Sequence, residues 1–498
     1  MLKRVLKMLM AQGAGIGVLL LTQFLLPPIF LHSYGVIGYG EWLVLSAAVS
    51  YLSTLNFGIT TYASNELTIL RQRSDLAQFR RLQASALSMI LAVIGIGTII
   101  TIGVAFLPLN RLLHLHGITR AEAGLTALFF GLQIMAHMLG GYYNNLFMVV
   151  QETHRGTMWF SVRRLGATLA AAALALFHLS FATIAFGQFI AVLLIAVLTL
   201  MDLKTRMNGL PLGFTGADWA TAKSTLKPSG MFALVFMQTF LAFQVPVILL
   251  QWLLGPEIVV LFTISRTVLS TARQLLSTIT NSIAPEITFS FGSGNMKKLL
   301  EIFHYSERLV FSLIPVANLG ALLFSPVLLA VWLHKPGLFE PYTYALMAVV
   351  SAVMSMREHK QFFQYSTNVH YRLAHIVFWG NLAMICASIP ATYWFGLHGF
   401  MVIWLVSETT QMGLLYVENK KLFGGDSSIT LMPVFKLAVF IGCFLPLCLL
   451  LVRYARTHSL AVDGLLAAAG TAVIFAASYP VFGLNLVRRR LAAGVSGA

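Results

Sequence analysis

The chain has 498 residues, of which 58% are hydrophobic and only 10% charged, and its mean hydropathy is +0.81. A soluble domain averages about 25% charged residues, so this composition excludes a water-soluble protein and predicts an all-α polytopic membrane protein. The net charge of +16 would suit nucleic acid, but its distribution along the chain makes that partner unnecessary.

The opening MLKRVLK and the apolar stretch from Ala11 to Leu31 resemble a signal peptide. The stretch is long enough to cross a bilayer and carries no small-x-small cleavage site, which predicts an uncleaved first helix. A ruler of about 20 apolar residues per crossing then gives fourteen spans, near 10–32, 39–66, 82–108, 120–151, 157–178, 180–202, 230–253, 256–283, 303–328, 340–368, 372–395, 398–418, 432–452 and 462–486. The three cysteines, Cys386, Cys443 and Cys448, fall in apolar runs. They read as small core residues, neither a disulfide framework nor metal ligands. His114 and His116 are too loose a pattern for a metal site, and no cofactor is expected.

Of the 33 lysines and arginines, 26 fall on the even-numbered connections and the termini, counting Arg163, Arg164, Arg357 and Lys360 among them. Arg111, Arg120, Lys335, Arg453 and Arg456 fall on the odd-numbered ones. This alternation predicts both termini in the cytoplasm and makes the basic excess a signal of orientation. Arg357 and Lys360 strain the count, because they lie well inside the tenth span.

A shift of about 216–217 residues brings YGEW (39–42) onto GPEI (255–258), and THR (153–155) onto HYR (370–372). With a few residues of gap, Glu66 falls on Glu286. The common shift at matching points of the span order predicts a duplication. Two six-helix lobes, 1–204 and 229–421, are expected to be related by an axis along the membrane normal. A cytoplasmic linker (205–228) joins them, and two extra helices (432–487) follow. DWATAKSTLK within the linker suits a short amphipathic surface helix.

Polar stripes run along several spans at helical spacing. The eighth carries Arg266, Ser270, Arg273, Ser277 and Asn281; its counterpart in the second reads Ser50, Thr54, Phe57, Thr61 and Asn65. The fourth carries Gln133, His137, Gly140, Gly141, Asn144 and Gln151. The tenth carries Arg357, Gln361, Gln364 and Asn368, with Arg357 falling on Gly140. Such stripes on otherwise apolar helices are expected to face a hydrated cavity. An arginine in mid-bilayer costs roughly 2.5–3.5 kcal/mol on translocon scales, so Arg266 and Arg273 need either acid partners or an anionic ligand. Glu358 and Glu408 are the intramembrane acids available to them, and Glu408 is also the candidate for ion coupling.

Guanidinium matches phosphate with paired hydrogen bonds. Arg266 and Arg273 lie about 10 Å apart along a helix axis, close enough to converge on one diphosphate or to pass it between two depths. The neutral amides and hydroxyls of the first half suit sugar hydroxyls. In the opening region, Gln12, Gly13, Pro27, Pro28, Leu31, Gly35, Tyr39, Gly40 and Gly58 follow a pattern that resembles the polysaccharide-transporter, or O-antigen flippase, family. That family belongs to the multidrug/oligosaccharidyl-lipid/polysaccharide (MOP) exporter superfamily. The resemblance implies two lobes around a V-shaped cavity, set in a bacterial inner membrane. It also implies transport of undecaprenyl-diphosphate-linked oligosaccharide by alternating access, not enzymatic catalysis, with polysaccharide assembly machinery as partner.

Three alternatives remain. Multidrug relatives use acids in the first, seventh or eighth helices, and the first and seventh spans hold none. The lipid II flippase branch carries arginines in its first two helices, which are absent here. A membrane-embedded glycan polymerase or ligase needs a sizeable outer loop and a catalytic constellation, and the sequence offers neither.

Overall fold

The computed structural model describes residues 2–482 apart from 57, 74, 208, 284–286, 288–289, 292–293, 368–370 and 456–458. Helices joined by short turns make up nearly all of it, with no strand among the described residues. Leu2–Val49 (α1) holds two crossings rather than one. The backbone swings sharply at Gly35, where φ is 69°, a conformation that a residue without Cβ adopts most cheaply. A 3-10 turn, Ser50–Asn56, and Ile59–Gln72 (α2) complete the second crossing. Leu76–Ala105 (α3), the short Leu109–Leu112 (α4), Arg120–Leu146 (α5), Thr153–Leu176 (α6) and Phe181–Arg206 (α7) follow.

Trp219–Phe243 (α8) and Val245–Leu254 (α9) form the next crossing. The DWATAKSTLK segment is helical, but as the first turns of α8 and not as a separate surface helix. Asp218 caps it by accepting from the backbone N–H groups of Ala220 (3.3 Å) and Thr221 (2.9 Å). Then come Pro256–Ser282 (α10), Met296–Trp332 (α11), Pro341–Ser366 (α12), Tyr371–Leu422 (α13), Met432–Ala455 (α14) and Leu460–Val481 (α15). Like α1, α13 is a pair of crossings, broken at Gly396 with φ 61°.

Three turns with positive φ recur at a nearly constant spacing. Gly35, His114 and His178 have positive φ, and so do Gly255, His334 and Gly396 about 220 residues further on. Each residue sits at a corresponding turn between crossings.

Among the described residues, nine helices are long and apolar enough to cross a membrane. Three others have the length but not the apolarity: α6, α10 and α12. These helices carry Arg163 and Arg164, Arg266 and Arg273, and Arg357 with Glu358, His359 and Lys360. What disqualifies them as plain spans is what makes them functional candidates.

The chain divides into two compact units, Met1–Val260 and Leu261–Ala498. The crossing formed by α8 and α9, which the repeat assigns to the second half, packs within the first unit. Ser85 Oγ on α3 donates to the Asp218 carbonyl (3.1 Å) and accepts from its N–H (2.9 Å). The first unit's core gathers Phe79, Leu82, Tyr142, Leu146, Phe147 and Leu203. Glycines let α3 and α5 approach closely: a Cβ on Gly131 would lie 2.2 Å from Thr101, and one on Gly124 would lie 2.3 Å from the Ala105 carbonyl. Glu41, of the YGEW segment, is wholly buried and accepts from the backbone N–H groups of His116 (2.5 Å) and Gly117 (2.7 Å). In the second unit the aromatic cluster Phe303, Phe363 and Phe423 forms one end. The extra helices complete the unit, Gly320 of α11 lying close to Thr471 of α15.

Candidate functional site

The first unit encloses a cavity of about 1010 Å³. Thr22 and Gln23 of α1, Thr60 and Ser64 of α2, and Gln188 of α7 contribute to its wall. The fourth-span stripe supplies Gln133, His137, Asn144 and Asn145 from α5, and α6 supplies Phe160, Arg163 and Arg164. The lining residues include no aspartate or glutamate.

Arg163 anchors this wall. It is 1% exposed and lies well inside α6, so the expectation that it belongs to a cytoplasmic connection is corrected. Its Nε donates to His137 Nδ1 at 3.2 Å. The Asn144 side chain, with its amide oriented to donate to the Gly140 carbonyl (3.1 Å), accepts from Arg163 Nη2 at 3.0 Å. The remaining Nη1 lies over Gly140, where a Cβ would come within 1.8 Å of it. It is buried without a hydrogen-bond partner among the described residues, as are the side-chain oxygens of Gln23, Gln133 and Gln188. Arg164 lies beside it, its guanidinium carbon 5.3 Å from the Phe160 ring centre. Because Arg163 donates to Nδ1, the neutral His137 ring carries its proton on Nε2.

Buried polar atoms without partners are rare in proteins, each costing roughly 1–3 kcal/mol. Four on one cavity wall, one of them on a guanidinium, make a surface that gains by receiving a polar ligand. Two cations with no acid among the described lining residues make the wall electropositive.

The second unit presents the opposite balance. Of the two ways to satisfy an intramembrane arginine, an acid partner or an anionic ligand, Arg273 and Arg357 have the first. Arg273 pairs with Glu358. Arg357 Nε lies 2.6 Å from Glu408 Oε2, an ion pair close in distance but not aligned as a hydrogen bond. Glu408, the candidate coupling acid, is wholly buried and also accepts from Trp404 Nε1 at 3.3 Å. Lys360 pairs with Glu307 and lies over the Phe303 ring at 4.4 Å. His359 meets Ser306 Oγ at 2.9 Å. Four consecutive residues of α12 thus each face a different partner, and three of them close ion pairs. An arginine in hydrocarbon that finds no anion is expensive; here the sequence supplies the anion from a neighbouring helix.

A smaller pocket of about 430 Å³ in this unit is lined by Arg273, Ser277, Glu358, His359, Gln361 and Tyr365, among others. The residues of the expected polar stripes therefore separate. Gln133, His137 and Asn144 meet in the first cavity; Arg273, Ser277 and Gln361 meet in the second pocket. Arg357 stands beside the second pocket, donating to Gln361 Oε1 at 3.1 Å. Arg266 and Ser270 line neither; Arg266 lies over the Phe262 ring at 5.1 Å, and Ser270 Oγ donates to the Thr267 carbonyl at 3.1 Å. The side chains of Asn281, Asn65 and Asn368 and all of Glu286 lie outside the described residues.

No family model and no curated protein matches the chain. Solved structures do. A multidrug resistance MATE family transporter of the MOP superfamily, in an inward-facing conformation, superimposes with TM-score 0.66 at 12% identity, over 81% of this chain and 94% of that one. The lipid II flippase MurJ, in an inward closed conformation, gives 0.68 at 10% identity, over 96% and 99%. The MATE multidrug transporter DinF-BH gives 0.60 at 15%, over 84% and 96%. The chain therefore shares the polytopic helical fold of these solved proteins.

Proposed function

We propose that this protein is a flippase that moves a polyprenyl-diphosphate-linked oligosaccharide across a bacterial cytoplasmic membrane by alternating access, for assembly of cell-surface polysaccharide. The observation that carries this reading is the acid-free cavity of the first unit, with Arg163 and Arg164 on a wall of amides and hydroxyls. A diphosphate supplies the acceptors that the buried guanidinium lacks, and guanidinium binds phosphate in a matched, forked geometry. Such a cavity repels cations, which argues against a cationic-drug exporter on the same fold. His137 and Asn144 act as positioning residues, holding Arg163 from two sides. On this reading the protein's task is to give a charged head a route through hydrocarbon. The distribution of basic residues supports a cytoplasmic position for both termini.

The test is complementation of a deletion strain. Arg163→Ala should abolish surface glycan at normal membrane abundance, with the glycan lipid held on the cytoplasmic face. Arg163→Lys should restore only part of it, because lysine has no fork. Full restoration by Arg163→Ala and Arg164→Ala alike would falsify the assignment.

A further inference from the structure

The pocket of the second unit differs from the first cavity in charge and in shape. Arg273 of α10 and Glu358 of α12 both line it and pair with each other, so its fixed charges cancel. An anion arriving there would compete with Glu358 for Arg273 while facing a carboxylate. A cation would meet the reverse. A hydroxyl group suits both ends at once, donating to the carboxylate and accepting from the guanidinium.

A second, independent feature points to a ligand. His359 is 1% exposed and lines the pocket; its Nε2 is engaged by Ser306, while its Nδ1 is buried with no hydrogen-bond partner among the described residues. On the same helix Gln361 Nε2 donates to the Tyr365 hydroxyl at 3.0 Å, which fixes the pose of that ring. Phe362 and Tyr365 add apolar faces to the wall. About 430 Å³ lies within the size range of sites for small molecules. Paired charges, an unpartnered imidazole nitrogen, an amide and aromatic faces together fit a compact, uncharged ring bearing several hydroxyls.

We infer that this pocket, where Arg273 and Glu358 meet His359 and Gln361, is a subsite for an uncharged, hydroxyl-rich group, a sugar ring of the carried glycan. The assignment rests on the flippase reading and divides the cargo: the diphosphate belongs to the first unit and sugar to the second. It also reverses the division that the sequence suggests, in which the second half holds the cation site.

Two probes separate these assignments in the purified full-length protein. Farnesyl diphosphate has the charged head and no sugar; the glycan lipid extracted from a strain lacking this protein has both. Glu358→Gln and Gln361→Ala should weaken binding of the glycan lipid about five- to tenfold, the loss of one or two hydrogen bonds. Farnesyl diphosphate should bind as before, whereas Arg163→Gln should weaken both probes. Gln361→Ala leaves the Arg273–Glu358 pair in place, so it remains informative if Glu358→Gln folds poorly. Unchanged glycan-lipid binding in Gln361→Ala, or equal weakening of both probes, would overturn the sugar subsite. If Arg163→Gln has no effect on either probe, the diphosphate assignment falls while Gln361→Ala still decides the subsite. If the wild-type protein binds neither probe, both assignments fall.

Discussion

The two units solve the same problem in opposite ways at one pair of repeat-related positions. In the first, the fourth crossing carries Gly140 and the fifth carries Arg163; about 217 residues on, the order is exchanged, with Arg357 on the fourth-equivalent helix and Gly380 on the fifth. Gly140 leaves room for the Arg163 guanidinium. The partner acid then distinguishes the units. Arg357 has Glu408, whereas the matching stretch of the first unit, Ile190 and Ala191, holds no acid. One buried guanidinium is neutralised by the protein, and the other lines a cavity that has no acid among its described residues. The comparison locates where charge is reserved for a ligand and where it is consumed by the fold.

The largest effect expected from breaking this contrast lies in the second unit. Glu408→Gln leaves Arg357 buried without its acid, and removing one member of a buried pair costs about 3–5 kcal/mol. Replacing both residues, as Arg357→Met with Glu408→Met, should recover most of that loss, because a well-packed apolar pair is often neutral. Denaturant unfolding of the single and double variants measures the coupling. Equal stability of Glu408→Gln and wild type would mean that the pair is not a structural neutraliser.

The converse change installs an acid where the first unit has none. Gln188 lines the cavity and is 7% exposed, and its Oε1 has no hydrogen-bond partner among the described residues. Gln188→Glu keeps the size of the side chain but replaces the Nε2 that donates to the Ala167 carbonyl at 3.3 Å, and it puts an acid on the cavity wall that holds Arg163. Transport should fall by at least about tenfold, equivalent to roughly 1.4 kcal/mol, whereas Gln188→Leu, which loses the same hydrogen bond to Ala167 without adding charge, should transport better. Undiminished transport in vesicles would show that the absence of acid in this cavity is incidental.

Much of the fold was legible before any coordinates. The hydropathy rhythm and the polar fourth span correspond to elements of the structure. Gly35 and Gly396, which fall in the short gaps between adjacent spans, turn the chain back on itself. The site was less legible, for two physical reasons. Pairing between helices leaves no mark on either one alone, so Arg273 and Arg357 look equally available whether or not Glu358 and Glu408 reach them. Arg163 and Arg164 sit six and seven residues into their span, close enough to its end to pass for positive-inside anchors. The signal that separates them from anchors is the exchange itself: Gly140 falls on Arg357, and the same shift lays Arg163 on Gly380.

Two adjacent glycines refine the comparison at smaller amplitude. A Cβ on Gly140 would lie 1.8 Å from Arg163 Nη1, whereas one on Gly141 meets nothing within 4 Å. Gly140→Ala should push the guanidinium aside at a cost of about 1–3 kcal/mol and weaken farnesyl diphosphate binding. Gly141→Ala should leave binding close to wild type. Equal behaviour of the two variants in that titration would mean that the pose of Arg163 is unimportant.

The smallest effect lies outside both cavities and checks that transport loss elsewhere is not simply loss of stability. Asp218 caps α8, and hydrogen bonds from Thr221 and Ala220 hold its carboxyl below the ordinary aspartate range. A carboxyl lowered in the folded state stabilises the protein at every pH above its unfolded value and loses that contribution as the pH falls through the folded value. Asp218→Ala should therefore unfold at a modestly lower temperature than wild type near neutral pH, with the difference shrinking under acid. Transport should remain intact, because Asp218 touches neither cavity. If transport falls in step with this small loss of stability, the variants of Arg163 and Gln188 must be judged against stability as well as charge.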